Sequence, residues 1–270
     1  MVLAETAYAK INLALHVRRR RADGYHDLET VFAFAEDGDL LVAEPAEHLS
    51  LAIDGPFGDA LTADVDNLVL RAAAMLREAA GVRAGAVIRL TKRLPIASGI
   101  GGGSADAAAT LRLLARLWGT TGTDLTAIAG ALGSDVPACV ASVAAFGEGR
   151  GERLSALDLG RWAGAPMLLV NPGDAVSTAA VFRNWDGVDR GPLDPGFPFG
   201  GRNDLERPAR AIAPRIGEVL DALAAASVAR MSGSGATCFA LFEDVAMRDA
   251  LAATIRRNHP GWWCLATRLR

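Results

Sequence analysis

Residues Pro95-Ile96-Ala97-Ser98-Gly99-Ile100-Gly101-Gly102-Gly103-Ser104-Ala105-Asp106 form a glycine cluster that runs straight into an alanine- and leucine-rich stretch ending at Trp118. Gly99, Gly101, Gly102 and Gly103 remove the Cβ atoms that would keep a bulky anion from the backbone, and they permit positive φ. Ala108, Leu111, Ala115 and Trp118 recur at helical spacing, with Ser104 as a plausible N-cap, so the cluster opens onto a helix N-terminus. Unpaired N–H donors and the helix dipole both favour an anion there. The pattern is neither of the two commonest phosphate fingerprints. A dinucleotide motif counted from Gly99 meets Ser104 where its third glycine is needed. A Walker loop needs a lysine that does not follow. A plain strand-to-helix turn would need one or two glycines rather than four.

With 270 residues and a net charge of −3, the chain has length for two domains and no generally basic surface, which argues against a nucleic-acid partner. Cys139, Cys238 and Cys264 are odd in number, widely spaced and in apolar contexts, which reads as free buried thiols in a reducing compartment. No apolar run reaches signal-peptide or membrane-spanning form, so a cytoplasmic protein with no membrane partner is expected. His16, His26, His48 and His259 have no metal-ligand spacing with one another or with the cysteines, and no structural metal is expected.

Along the chain, Ala7 to Val17 alternates strictly: Ala7, Ala9, Ile11, Leu13, Leu15 and Val17 share one face, and Tyr8, Lys10, Asn12 and His16 the other. That predicts a half-solvated strand from which Lys10 and Asn12 project together. Asp23-Gly24 predicts a tight turn after Arg18 to Arg21. A helix is predicted from Leu68 to Ala79, capped by Asp66 or Asn67, and a strand from Ala86 to Lys92. Pro137 suits the first turn of a short helix after Gly133-Ser134-Asp135. Gly147, Gly149 and Gly151 break the pattern and mark a domain boundary, giving domains over 1–150 and 151–270. The second half reads as strands at Met167–Asn171, Val228–Met231, Cys238–Phe242 and Trp262–Thr267, with helices from Pro214 and over Val245–Arg256. Gly187 to Gly201 is a loop. Hairpin-like pairs without sustained βαβ units predict an α+β fold in two parts.

On these residues the sequence resembles the GHMP small-molecule kinases, which include galactokinase, homoserine kinase and mevalonate kinase. Their Pro-x₃-Gly-x-Gly-Gly-Gly-Ser-like signature matches Pro95 to Ser104. Within that superfamily it is most similar to the branch acting on 4-diphosphocytidyl-2-C-methyl-D-erythritol, in the non-mevalonate route to isoprenoids. The marks are Ala9-Lys10-Ile11-Asn12-Leu13, Asp23-Gly24-Tyr25-His26, Leu132-Gly133-Ser134-Asp135-Val136-Pro137, Asn203-Asp204-Leu205-Glu206 and Met231-Ser232-Gly233-Ser234-Gly235. The resemblance implies an N-terminal domain like the second domain of ribosomal protein S5 and a ferredoxin-like C-terminal domain. It also implies transfer of the ATP γ-phosphoryl group to the substrate's 2-hydroxyl with Mg2+ present, by a monomer or homodimer.

Residue by residue, the resemblance makes Asp135 the catalytic base and Lys10 the cation that keeps it ionised and offsets charge on the moving phosphoryl group. Taken alone, an aspartate before Val-Pro is more often an N-cap. Residues Pro95 to Ala105 would bind ATP. Asn12 would bond the substrate diol, Lys92 would meet the substrate diphosphate, and Tyr25, His26 and Phe182 would hold the cytosine by stacking and hydrogen bonding. Without the family, Tyr25 reads as core and His26 as surface. The turn Ser232-Gly233-Ser234-Gly235 could offer N–H groups to phosphate or be only a hairpin.

Many relatives carry Ser-Ser-Asn-Ala-Ala after the three glycines, whereas this chain reads Ser104-Ala105-Asp106-Ala107-Ala108. The substitution puts a negative charge in the expected first helical turn, and the sequence leaves the role of Asp106 and the magnesium ligands open. Two other functions remain: a GHMP kinase for homoserine or a sugar, and a non-catalytic ligand-binding regulator on the same fold.

Overall fold

The computed structural model describes residues 1–270. Two long strands, β1 (Leu3–Arg20) and β2 (His26–Ala46), pair with each other through the turn that Asp23-Gly24 predicts. Residues 1–9, 37–96 and 101–142 form one compact unit, and residues 10–36, 97–100 and 143–270 a second, so both strands contribute to both units.

In the first unit, β3 (Leu49–Asp54), α1 (Leu68–Ala79) and β4 (Gly85–Thr91) are followed by α2 (Gly102–Leu117), α3 (Leu125–Leu132) and α4 (Val136–Ala141). Strand β4 lies between β3, to which it is parallel, and the second half of β2, to which it is antiparallel from Leu40↔Thr91 to Ala46↔Gly85. Asn67 starts α1 by accepting a hydrogen bond from Val69 N at 3.0 Å, and Asp124 starts α3 by accepting from Thr126 N at 3.0 Å. Buried Ala105, Ala107, Ala108 and Ala109 keep α2 thin, which lets α1 and α4 pack closely on it. In β2, a Cβ on Gly38 would fall 1.9 Å from the Ala7 carbonyl oxygen, so only glycine allows β1 this approach.

In the second unit, β5 (Ala145–Gly149) pairs with the first half of β2 and with β6 (Arg153–Ala156). Gly147 therefore lies within a strand rather than breaking the pattern. Its missing Cβ makes room for the buried Phe32 ring, whose Cε2 would lie 2.7 Å from it. Next come β7 (Pro166–Asn171), α5 (Thr178–Arg183), α6 (Glu206–Ile212), α7 (Arg215–Ala222), β8 (Val228–Met231), β9 (Cys238–Leu241), α8 (Val245–Asn258) and β10 (Trp263–Arg268). The last sheet runs β10-β7-β9-β8 with every neighbouring pair antiparallel. With helices between β7 and β8 and between β9 and β10, that is the ferredoxin-like order the resemblance implies. Leu168 and Val170 of β7, Cys238 and Ala240 of β9, Ile216 and Val219 of α7, and Ala252 and Ile255 of α8 share its core.

Two expectations are corrected, and one strand is added. Strand β1 is not half-solvated, because Lys10, Asn12 and His16 are each 3% exposed or less, so polar side chains occupy a buried face. Helix α2 starts at Gly102, capped by Gly101 in the left-handed region at φ 61°, so Ser104 is inside the first turn and is not the cap. Strand β3, not among the predicted strands, has half-buried and exposed residues in strict alternation.

Gly38→Ala is expected to destabilise the protein by roughly 1–3 kcal/mol, because backbone must move to admit the methyl. Gly130→Ala, in α3 where a Cβ meets nothing within 4 Å, is expected to stabilise it by about 0.5–1 kcal/mol. Thermal denaturation of both variants checks the pair, and equal shifts would contradict the close approach at Gly38.

Candidate active site

The glycine loop divides at Gly101. Gly99 and Gly101 have φ of 77° and 61°, and both conformations need glycine. Gly102 and Gly103 are the first helical residues of α2, so their N–H groups and that of Ser104 have no carbonyl partner within the helix. A Cβ on the exposed Gly103 would meet only Leu68 Cδ1, at an ordinary 3.5 Å. Nothing in the fold requires glycine there. Three orphan donors at the start of a 16-residue helix, beneath a surface kept bare of side chains, form an anion cradle.

Lys92 lies under this cradle and is 2% exposed. Its ammonium donates to Asp39 Oδ2 at 2.5 Å and to Asp106 Oδ2 at 2.6 Å. Asp39 Oδ1 in turn accepts from Arg93 N and Leu94 N at 2.5 and 2.9 Å, which fixes the chain leaving β4. Burial works against the ammonium, but the two carboxylates outweigh it and hold Lys92 above the ordinary lysine range. Asp106 is not in the first turn of α2, as its nearness to the glycines implied. It lies one turn further in, buried, and faces Lys92.

Asp135 occupies the N-cap position of α4, yet its side chain makes no capping bond. Its backbone is in the αR region, at φ −88°, rather than the extended region of an ordinary cap. Pro137 at the second helical position also has no N–H to offer. The short helix is held instead from its C-terminal end by Arg112 of α2. That guanidinium donates to Cys139 O at 2.6 Å, to Thr6 O at 3.1 Å and, through Nε, to Glu5 at 2.8 Å.

In the second unit, Lys10 Nζ donates to Asn12 Oδ1 at 2.7 Å, and Asn12 Nδ2 donates to Thr30 Oγ1 at 2.8 Å. Lys10 Nζ also stands 5.5 Å from the centroid of the Phe32 ring. The turn joining β8 to β9 packs on the first half of the glycine loop. Ser232 Oγ accepts from Asn12 N at 3.1 Å and donates to Gly99 O at 3.0 Å, while Thr237 N donates to Ser98 O at 3.0 Å. Asn203 fastens that turn by donating to Met231 O and Gly233 O, both at 2.8 Å. Asp204 accepts from Val17 N at 2.9 Å.

Tyr25 and His26 reverse the exposure read from their sequence alone. Tyr25 is 53% exposed at the tip of the hairpin, with the Arg150 guanidinium 4.9 Å from its ring centroid, and His26 is 8% exposed. His26 stacks on Phe182 at 4.8 Å and meets Trp185 edge-on at 5.6 Å. Burial first, and then the neighbouring Arg20 cation, hold His26 below its usual acidity constant. Its Nε2 accepts from Arg20 Nε at 3.4 Å, so the neutral ring carries its proton on Nδ1. The structure thus brings together Lys10 with Asn12, and His26 with Phe182.

Asp39, Arg112, Arg150 and Trp185, which no local pattern in the sequence marks, act through partners far away in the chain. Asn203 belongs to a motif that the resemblance rests on, but its clamp on the distant turn is not written in that motif.

The chain matches the GHMP kinases N terminal domain over residues 67–143 and the GHMP kinases C terminal domain over residues 193–260. It is 56% identical to the 4-diphosphocytidyl-2-C-methyl-D-erythritol kinase of Rhizorhabdus wittichii, over 98% of this chain and 94% of that protein. It is 53% identical to the kinase of the same name from Sphingopyxis alaskensis, over 99% of each chain. A crystal structure of 4-(cytidine 5'-diphospho)-2C-methyl-D-erythritol kinase, 37% identical, superposes with a TM-score of 0.84 over 99% of both chains. Homoserine kinase from Cytophaga hutchinsonii, 16% identical with a TM-score of 0.72, shares the fold. A fold shared across GHMP kinases and this identity along nearly the whole length place the chain in the 4-diphosphocytidyl-2-C-methyl-D-erythritol kinase family.

Proposed function

We propose that the chain transfers the γ-phosphoryl group of ATP to the 2-hydroxyl of 4-diphosphocytidyl-2-C-methyl-D-erythritol. The observation that carries this reading is identity over nearly the full length to kinases of that name. Phosphoryl transfer asks the protein chiefly to position reactants and offset charge, and the residues divide along those lines. The N–H groups at the start of α2 hold the ATP phosphates. Asp135, kept from capping its helix by its own backbone conformation and by Pro137, accepts the proton of the attacking hydroxyl. Lys10, held by Asn12, supplies positive charge to the moving phosphoryl group.

Asn12 has its amide engaged by Lys10 and Thr30, which favours a role in orienting Lys10 over a direct bond to the diol. Lys92, enclosed by two carboxylates, serves as an anchor for the loop rather than as a ligand of the substrate diphosphate. Tyr25 offers an exposed aromatic face to the cytosine, His26 its Nδ1–H, and Phe182 backs the histidine.

No group of three or more His, Cys, Asp and Glu side chains is arranged to hold a metal ion. Mg2+ carried in by the triphosphate would need one or two protein oxygens at most. When bound it would neutralise charge on the β- and γ-phosphate oxygens. No helix is long and apolar enough to cross a membrane. A cytoplasmic monomer or homodimer is part of the proposal on the strength of the family resemblance alone.

ADP release from ATP and magnesium, with and without the cytidyl substrate, tests the reading. Release that depends on that substrate supports it. Release only with homoserine or a sugar would keep the GHMP kinase and reject the cytosine site, and nucleotide binding with no turnover of any alcohol would point to a regulator.

Asp135→Asn is expected to lower kcat by about 10²- to 10⁴-fold with ATP affinity nearly unchanged; preserved turnover removes Asp135 from the base role. Tyr25→Ala is expected to raise KM for the cytidyl substrate by about tenfold or more and to leave KM for ATP alone, as loss of one stacking face predicts. Gly103→Ala should make the protein slightly more stable, by up to about 1 kcal/mol, while weakening ATP binding. Unchanged ATP affinity in that variant would place the phosphates elsewhere.

A further inference from the structure

The buried cluster beneath the start of α2 holds two carboxylates and one ammonium, so one negative charge is in excess when all three are ionised. The carboxylates are unequal. Asp39 is fully engaged, with Lys92 on one oxygen and two backbone N–H groups on the other. Asp106 has Lys92 on Oδ2, but its Oδ1 is buried and has no hydrogen-bond partner. An unpartnered buried carboxylate oxygen is the costliest place for the surplus charge and the natural place for a proton.

The cluster is also close to the anion cradle. A Cβ on Gly102 would lie 3.0 Å from Lys92 Nζ and 3.8 Å from Asp39 Oδ2. Asp106 follows one turn later on the same helix. The charged groups that act on it are Lys92, from the segment after β4, and Asp39, from β2. Burial raises its proton affinity most, Lys92 opposes that rise, and repulsion from Asp39 adds to it, with the result that the carboxyl is pushed up to about 7.

We propose that Asp106 is a positioning residue for ATP: through Lys92 it ties the second turn of α2 to the end of β4, and it takes up a proton when phosphate occupies the helix N-terminus. The step is a simple balance in which a solvent proton joins the Asp106 carboxylate as the nucleotide's negative charge arrives. Lys92 stays protonated. The cluster is then neutral overall, and the helix N-terminus faces phosphate without a surplus anion behind it. This rests on the reading of the glycine loop as the ATP site.

The test is calorimetric titration of the whole protein with magnesium and a non-hydrolysable ATP analogue near neutral pH, in two buffers of different ionisation heat. Because phosphate groups titrate in the same range, the quantity of interest is the proton uptake of the native protein minus that of Asp106→Asn. The expected result is an excess of a substantial fraction of a proton per nucleotide in the native protein. Its affinity should also weaken about threefold or more as pH rises from about 6 to about 8, with a flatter profile in the variant. Equal uptake and parallel profiles would overturn the proposal.

A purely structural role would lower stability in the variant but would leave proton uptake unmoved. Should Asp106→Asn fail to fold, the infrared difference spectrum of the native protein on nucleotide binding decides: a new protonated carboxyl band supports the proposal and its absence overturns it. Failure of the native protein to bind the analogue at all would overturn the ATP-site reading together with the proposal. Binding without the excess proton would overturn the proposal alone.

Discussion

Two stretches of backbone meet at Gly99 and Gly233 with no room for a side chain on either. A Cβ on Gly99 would lie 2.4 Å from Ser232 O, and one on Gly233 would lie 2.7 Å from Gly99 O. That approach puts the Ser232 hydroxyl between Asn12 N and Gly99 O, and so joins the middle of β1, the first half of the glycine loop and the β8–β9 turn at one atom. The buried charge of Lys10 depends on the same junction. Its backbone N–H donates to Ile100 O at 3.0 Å, while its ammonium reaches Asn12, the residue whose own N–H the serine holds. The second glycine turn is therefore more than a hairpin connection, because its shape sets the shape of the first.

The first unit solves a related problem with charge instead of glycine. Helix α2 must begin where a strand ends, and Asp39 fixes that strand end while Lys92 links it to Asp106 on the helix. Six residues further along the helix, Arg112 ties α4 and the start of β1 to α2 through carbonyl groups and Glu5. One helix thus carries the anion cradle at its N-terminus and supports the Asp135 helix from its middle. Buried polar ties of this kind specify geometry more than they add stability, since each ion removed from water costs much of what its partner returns.

The glycine loop, the ferredoxin-like strands and the short helix after Asp135 were legible in the sequence because each is signalled locally, by glycine runs, by apolar runs of strand length or by a proline near a helix start. What was illegible depends on distant partners. Lys92 reads as a basic residue at a strand end, and only Asp39, 53 residues earlier, shows it to be buried. The alternation in β1 gave the correct two faces but the wrong environment, since period-2 patterning cannot say whether the polar face meets water or other polar groups. Gly147 read as a break for the same reason, because the Phe32 ring that needs its missing Cβ lies on another strand.

The pair Tyr25 and His26 shows how the family and the geometry inform each other. Resemblance assigned both to the cytosine end, while residue type alone put the tyrosine inside and the histidine outside. His26 is buried against Phe182 and Trp185 with its Nε2 engaged by Arg20, so that the neutral ring has an Nδ1 proton of fixed direction. One oriented donor beside an exposed aromatic face would hold the proposed base by geometry more than by charge. This suits a cytosine, which offers acceptors and a flat surface but no ion.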